Sequence, residues 1–344
     1  MLGIEPEAST WRPTVDPEPN PHALVPDGGR VAILRALPGR GDLLCAVPAL
    51  RALRRARPDV EVTCVGLPET EALVGRYPAY VDRFLAFPGF PGLPDRRPDL
   101  KAIPRFLVEA QARQFDLAIQ LHGSGAVSNL VTQLLGARRC AGHVEPAGTP
   151  PDRATFLPWH EGCSEIRRSL RLMAHLGWPS DDERLEFEIA PGTVAPVDGA
   201  YVVVHPGASS AAKRWTAHGF RDVARALADQ GQRVVLTGGA REAERTAWIN
   251  ESLDGRGLDL AGRTTLDELA ATVRGARLVV ANDTGVAHLA VAVGVPSVVV
   301  FTRSDHARWA PLDTTRHRVV PGSARRVVSE ARRLLAAGEL SDAA

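Results

Sequence analysis

The chain has 344 residues, room for about two domains at roughly 150 residues each, and its 44% hydrophobic and 24% charged content is that of an ordinary globular protein. That composition excludes wholesale disorder, a collagen-like repeat and a disulfide mini-scaffold. With Lys+Arg at 41 and Asp+Glu at 40 the net charge is +1, so no global field draws the chain to nucleic acid or anionic lipid. All but two of the basic residues, Lys101 and Lys213, are arginines. The four cysteines, Cys45, Cys64, Cys140 and Cys163, form neither a CxxC nor a Cys/His zinc spacing. They read as reduced structural thiols of a cytoplasmic protein. No run of about 20 apolar residues is long enough to span a bilayer. Residues 1–26 show neither the cationic head nor the apolar run of a signal peptide.

In chain order, residues 1–29 are Pro-rich and acidic and are expected to be a disordered leader. Residues 30–178 alternate apolar strand-length runs (31–34, 60–65, 84–87, 117–121) with helical patterns (43–57, 69–75, 103–114, 127–135, 163–176). Pro48 falls inside the first of these patterns, so it either kinks that helix or opens a new one. Residues 179–199 are rich in Pro, Gly and Asp and read as a linker. A second series fills 200–322, with strands at 201–205, 233–237, 278–281 and 297–301. Helices are predicted at 220–230, 242–252, 266–274 and 287–293. A terminal helix follows within 323–344, at 325–336. Strands alternating with helices imply two doubly wound α/β domains, whose ligands sit beyond the carboxyl ends of the strands. The arginines at 51, 54, 55, 57, 138 and 139 read as solvated faces.

Five segments fall at such strand ends. Pro38-Gly-Arg-Gly-Asp42 joins the first strand to its helix; Gly41 lets the backbone come close to a ligand, and Asp42 is either a cleft carboxylate or a helix cap. The dinucleotide fingerprint GxGxxG is not met, since position 44 is Leu. His205-Pro-Gly-Ala-Ser-Ser-Ala-Ala-Lys-Arg-Trp215 follows another strand; Ser209, Ser210 and Lys213 suit a diphosphate, and His205 suits a structural role. Asn282-Asp-Thr-Gly-Val-Ala-His288 opens a helix whose start suits phosphate, with Asp283 and Thr284 as caps and His288 toward the opening. Glu242 could accept hydrogen bonds from ribose hydroxyls or serve as a first-turn acid. His122 heads a loop that could face the same cleft from the other half.

On Val31–Arg51, His205-Pro-Gly with Lys213-Arg-Trp215, and Asn282–Leu289, the sequence resembles glycosyltransferase family 9, the ADP-heptose:lipopolysaccharide heptosyltransferases. The resemblance runs from about residue 30 to 312. It implies a GT-B fold, with two Rossmann-like domains facing a cleft and a C-terminal helix returning to the first domain. It implies an ADP-sugar as co-substrate, inversion at the anomeric carbon, and no cofactor or metal. By this resemblance Asp42 matches a general base; Gly41 and His122, by their place at strand ends of the first half, are the acceptor-side candidates. Ser209, Ser210 and Lys213 match a diphosphate loop, and Glu242 the ribose-binding acid. Thr264 lies where a loop backbone meets adenine. Asp283, Thr284, Gly285 and His288 match the turn beside the phosphates and sugar. The expected partners are a nucleotide-sugar donor and a glycan or small-molecule acceptor, with peripheral membrane contact if the acceptor is a lipid. The expected chemistry is one displacement, Asp42 taking the hydroxyl proton and Lys213 stabilising the departing diphosphate. Four departures leave the acceptor and the pathway open: the loop before Asp42, Thr216 after Trp215, the Pro/Gly-rich 88–99 segment and the acidic leader. A sugar-nucleotide epimerase and a non-catalytic nucleotide-sugar module are the alternatives, and the oligomeric state is open.

Overall fold

The computed structural model describes residues 24–342; most of the expected leader, residues 1–23, lies outside them. Two six-stranded sheets are formed, each wholly parallel. The first has the order β3-β2-β1-β4-β5-β6, with β1 Arg30–Leu34, β2 Glu61–Gly66, β3 Arg83–Ala86, β4 Leu117–Gln120, β5 Arg139–Val144 and β6 Phe156–Pro158. The second has the order β12-β11-β10-β7-β8-β9, with β7 Val202–His205, β8 Val234–Leu236, β9 Gly257–Asp259, β10 Leu278–Asn282, β11 Ser297–Phe301 and β12 His317–Pro321. Counted within its own half, each is the 3-2-1-4-5-6 order of a doubly wound domain. Runs such as Val202-Val-Val and Ser297-Val-Val-Val are buried throughout, as strands covered by helices on both faces must be.

This topology positions the site. In each half the strand order reverses between the first and fourth strands, and there the crevice opens. In the first half these strands are β1 and β4, which lead into the Asp42 loop and His122. In the second they are β7 and β10, which lead into the Ser209–Lys213 loop and Asp283. Pro48 opens a new helix, Val47–Ala56, at its second position, and a separate short helix, Arg40–Leu44, carries Asp42.

Three expectations change. Leu24 and Val25, at the end of the leader, are buried in the core, and the buried Arg57 guanidinium donates to the carbonyls of Val25 and Pro26. Order therefore begins at least six residues before Arg30. The terminal helix, Ala324–Asp342, packs Val327, Ala331, Leu334 and Leu335 into the core of the second half, against Phe220 and Leu227, where the resemblance implied a return to the first domain. Its apolar stripe finds its match in the helix Ala217–Ala228 of its own half. Arg51 and Arg57 are buried and paired, not solvated. Arg51 bonds Glu186 and the carbonyls of Asp182 and Arg184, which ties the linker to the first domain. Arg54 pairs with Asp82, Arg55 with Asp182, Arg138 with Asp116 and Arg139 with Asp152.

The halves touch at separate places. On one side Arg76 makes a two-pronged ion pair with Asp267, both contacts 2.6 Å. On the other, the start of the helix Gly285–Ala292 lies against the Asp42 loop.

Candidate active site

Asp42 is the third residue of its helix, not the cap; Gly39 holds the cap position. The Asp42 carboxylate turns back over Gly39, where a Cβ would sit 2.0 Å from Oδ2. Glycine at position 39 is therefore what leaves the carboxylate room. Asp42 is half-buried, and loss of water raises its pKa above the usual carboxylate range; the nearby charges of Arg35 and Lys213 oppose that rise and do not cancel it.

Two glycines let the halves meet. A Cβ on Gly41 would lie 2.4 Å from Cδ2 of His288, and one on Gly285 would lie 3.2 Å from Cβ of Arg40. His288 is buried rather than turned to the opening. Its Nδ1 is 3.6 Å from Sγ of Cys45, and its ring lies edge-on to Trp309. Desolvation lowers its pKa, favouring the neutral ring.

The second half presents Lys213. Its ammonium is 3.0 Å from the buried Asp283 carboxylate and 5.5 Å from the ring centre of Trp309. Asp283 therefore holds the lysine instead of capping the helix, and Thr284 takes the cap position without a side-chain bond. Ser209 and Ser210 are exposed on the loop, and Ser210 also caps the short turn Ala211–Lys213. Fully buried Asn282 fixes this loop: its Oδ1 accepts the Trp215 N–H, and its Nδ2 donates to the carbonyls of Pro206 and Gly207.

Glu242 closes its own turn by accepting the Gly239 N–H at 3.0 Å. An open cavity of about 550 Å³, lined also by Arg214, Arg241 and Trp248, lies beside it. The loop carrying Thr264 packs on the Glu242 turn through Gly262, whose N–H donates to the Gly238 carbonyl; Thr265, not Thr264, caps the next helix. His205 is structural, its Nδ1 3.0 Å from the Thr237 hydroxyl. His122 is buried; its Nδ1 accepts the Ala36 N–H, and its Nε2 meets Asp95 at 3.0 Å. It thus braces the start of the Asp42 loop.

Sequence reasoning missed the buried carboxylate of Glu165 and the arginines around it. Glu165 binds Arg35 at 2.6 Å, Arg168 at 2.7 Å and Arg308 at 2.8 Å. Arg35 in turn donates to the Asp42 carbonyl at 2.6 Å and to the Leu121 carbonyl. Charges this far apart in sequence carry no local signature. Among the described residues no group of three or more His, Cys, Asp or Glu side chains is placed to hold a metal ion, and no helix is long and apolar enough to cross a membrane.

Two facing doubly wound domains, with a carboxylate on one lip and a lysine beside a helix start on the other, form a GT-B fold. The family model for glycosyltransferase family 9 (heptosyltransferase) matches residues 105–326, and the chain belongs to that family. Lipopolysaccharide heptosyltransferase 3 of Escherichia coli is 27% identical over 288 residues, 79% of this chain and 83% of that protein. Lipopolysaccharide heptosyltransferase 1 of Escherichia coli (strain K12) is 26% identical over 282 residues, 77% of this chain and 85% of that protein. The structure of E. coli ADP-heptose lipopolysaccharide heptosyltransferase II matches with a TM-score of 0.71 at 19% identity, covering 90% of this chain and 99% of that chain. The family match begins after the Asp42 loop, so the role of that loop rests on its own geometry.

Proposed function

We propose that this glycosyltransferase moves a sugar, a heptose by analogy with its relatives, from an ADP-linked donor to an acceptor hydroxyl, with inversion and without a metal. The observation that carries the reading is the placement of Asp42: a desolvated carboxylate on the first domain, on a loop pressed against the helix start beside Lys213 and Asp283. Asp42 takes the proton of the acceptor hydroxyl as its oxygen attacks the anomeric carbon, and a raised pKa makes it a better proton acceptor. The departing diphosphate gathers negative charge. Lys213, the hydroxyls of Ser209 and Ser210, and the amides at Asp283–Gly285 stabilise it. Glu242 and Thr264 lie on neighbouring loops that would take the ribose and adenine. The acceptor binds on the first-domain side of the cleft, where Gly41 and His122 support the Asp42 loop. A lipid acceptor would bring the enzyme to the inner face of the membrane.

Thermal shift with ADP, UDP, GDP and NAD, each in EDTA and in Mg²⁺, tests this. A ligand at 100 times its Kd adds about 2.7 kcal/mol, a rise of a few degrees. The reading predicts a shift selective for ADP that survives EDTA. A shift only with UDP or GDP overturns the donor, and a shift only with NAD overturns the class of chemistry. Donor consumed without acceptor would favour an epimerase.

A further inference from the structure

Glu165 is the first residue of the helix Glu165–His175 in the first half and is 3% exposed. Its Oε1 accepts from Arg35, which follows β1 and holds the Asp42 carbonyl. Its Oε2 accepts from Arg168 on the same helix and from Nε of Arg308. Arg308 belongs to the other half, on the short helix His306–Trp309. Next to it, Trp309 lies beside both His288 and Lys213. One carboxylate therefore joins the strand end that carries Asp42 to the segment of the opposite domain that flanks Lys213.

We propose that Glu165 is a positioning residue and that its contact with Arg308 is a latch. When the halves close, Arg308 reaches Glu165, and the shared carboxylate fixes Arg35 and with it the Asp42 loop. The buried geometry favours a latch over a passive surface pair. The Arg35 side chain is 2% exposed and Glu165 3%, so the carboxylate has no water to replace a lost partner. Arg308 is 23% exposed and stacks 4.6 Å from the Trp309 ring centre and 5.3 Å from that of Trp159, so it spans the seam between the halves. Burial would push Glu165 up, yet its arginine neighbours hold it at about 2, so it stays charged through the working pH range. The donor-side and acceptor-side machinery is thereby assembled together, which suits a two-domain transferase that must exclude water before reaction.

The proposal rests on the reading of Asp42 only for its effect on turnover; the coupling itself is read without substrate. In the full-length protein, amide exchange of residues 36–44 is measured for wild type, Glu165→Gln, Arg308→Gln, the double variant and Arg308→Lys. Arg308→Gln carries the test even if Glu165→Gln does not fold, because Arg308 is partly exposed and belongs to neither core. Exchange should rise about tenfold or more in each single variant, the cost of one charge-assisted hydrogen bond. The double variant should be no worse than the more severe single, and Arg308→Lys should recover part of the protection. ADP release from an ADP-heptose donor should lose turnover at saturating donor, with KM changed by less than about threefold. Unchanged loop exchange in Arg308→Gln, or single effects that multiply in the double variant, would overturn the latch. A loss confined to KM would overturn it too. An Asp42→Asn variant that keeps full turnover would instead sink the base assignment and leave the exchange result standing.

Discussion

Gly41 of the first domain and His288 of the second are packed so closely that a Cβ on the glycine would lie 2.4 Å from the imidazole Cδ2. The ring is held by Cys45 and Trp309, so it has little room to retreat. Gly41→Ala should therefore cost about 1–3 kcal/mol as an overpacked contact, or drive the domains apart. Either way the Asp42 loop moves, and turnover should fall about tenfold or more. Gly41→Ala/His288→Ala, which removes the clash, should recover much of the melting temperature. A single variant with wild-type turnover and stability would show that the halves do not meet this closely.

Lys213→Met removes the only lysine of the second half and leaves the 2% exposed Asp283 without its ammonium. Turnover should drop about 10²–10³-fold, as for a lost charge stabiliser at a leaving group. Stability should drop by about 1–3 kcal/mol, because a buried acceptor is stranded. Adding Asp283→Asn should restore melting temperature but not turnover. Steady-state kinetics and thermal melts on the two variants separate these effects.

The buried Glu165 carboxyl sets an acid limit. Its folded pKa, about 2, lies below the 4.5 of a free glutamate, so its contribution is present above about pH 4.5 and fades as pH falls toward 2. The size is about 3 kcal/mol by linkage. Denaturant titrations from pH 6 to pH 2 should show wild type losing this stability and Glu165→Gln, already lacking it, falling by less. Parallel curves would contradict the assignment.

The doubly wound halves were readable because buried parallel strands spell themselves out: Val202-Val-Val and Ser297-Val-Val-Val admit few other readings. The strand-end loops were readable because Gly, Ser, Lys and Asp interrupt those runs. β5 was missed because Arg139, Gly142 and His143 break its apolar pattern. Gly142 is there because a Cβ would press 2.9 Å from that of Gln120 on β4. β9 and β12 were missed at the sheet edges, where half-exposed strands need no continuous apolar run. The burial of His288 and the ring of arginines about Glu165 depend on how two halves meet, and no local pattern records that. The terminal helix shows the same limit from the other side: its apolar stripe was legible, its partner was not.

Asp42 makes two opposed demands. Its pKa is raised by burial, so folding is favoured when it is protonated, and that gain is lost as pH rises through the folded pKa. At neutral pH the ionised carboxylate therefore costs stability, and Asp42→Asn should melt at or above the wild-type temperature. Turnover runs the other way. The base must be ionised, so the acid limb of the pH–rate profile should lie above that of an ordinary carboxylate near about 4.

The most direct test compares wild type with Asp42→Asn for ADP release from ADP-heptose, with a glycan extract that supports wild-type turnover, alongside ADP affinity and melting temperature. Transfer should fall about 10²–10⁴-fold, the range for loss of a general base. ADP affinity should stay within about threefold, and the melting temperature should not drop. Transfer at the wild-type rate would contradict the account.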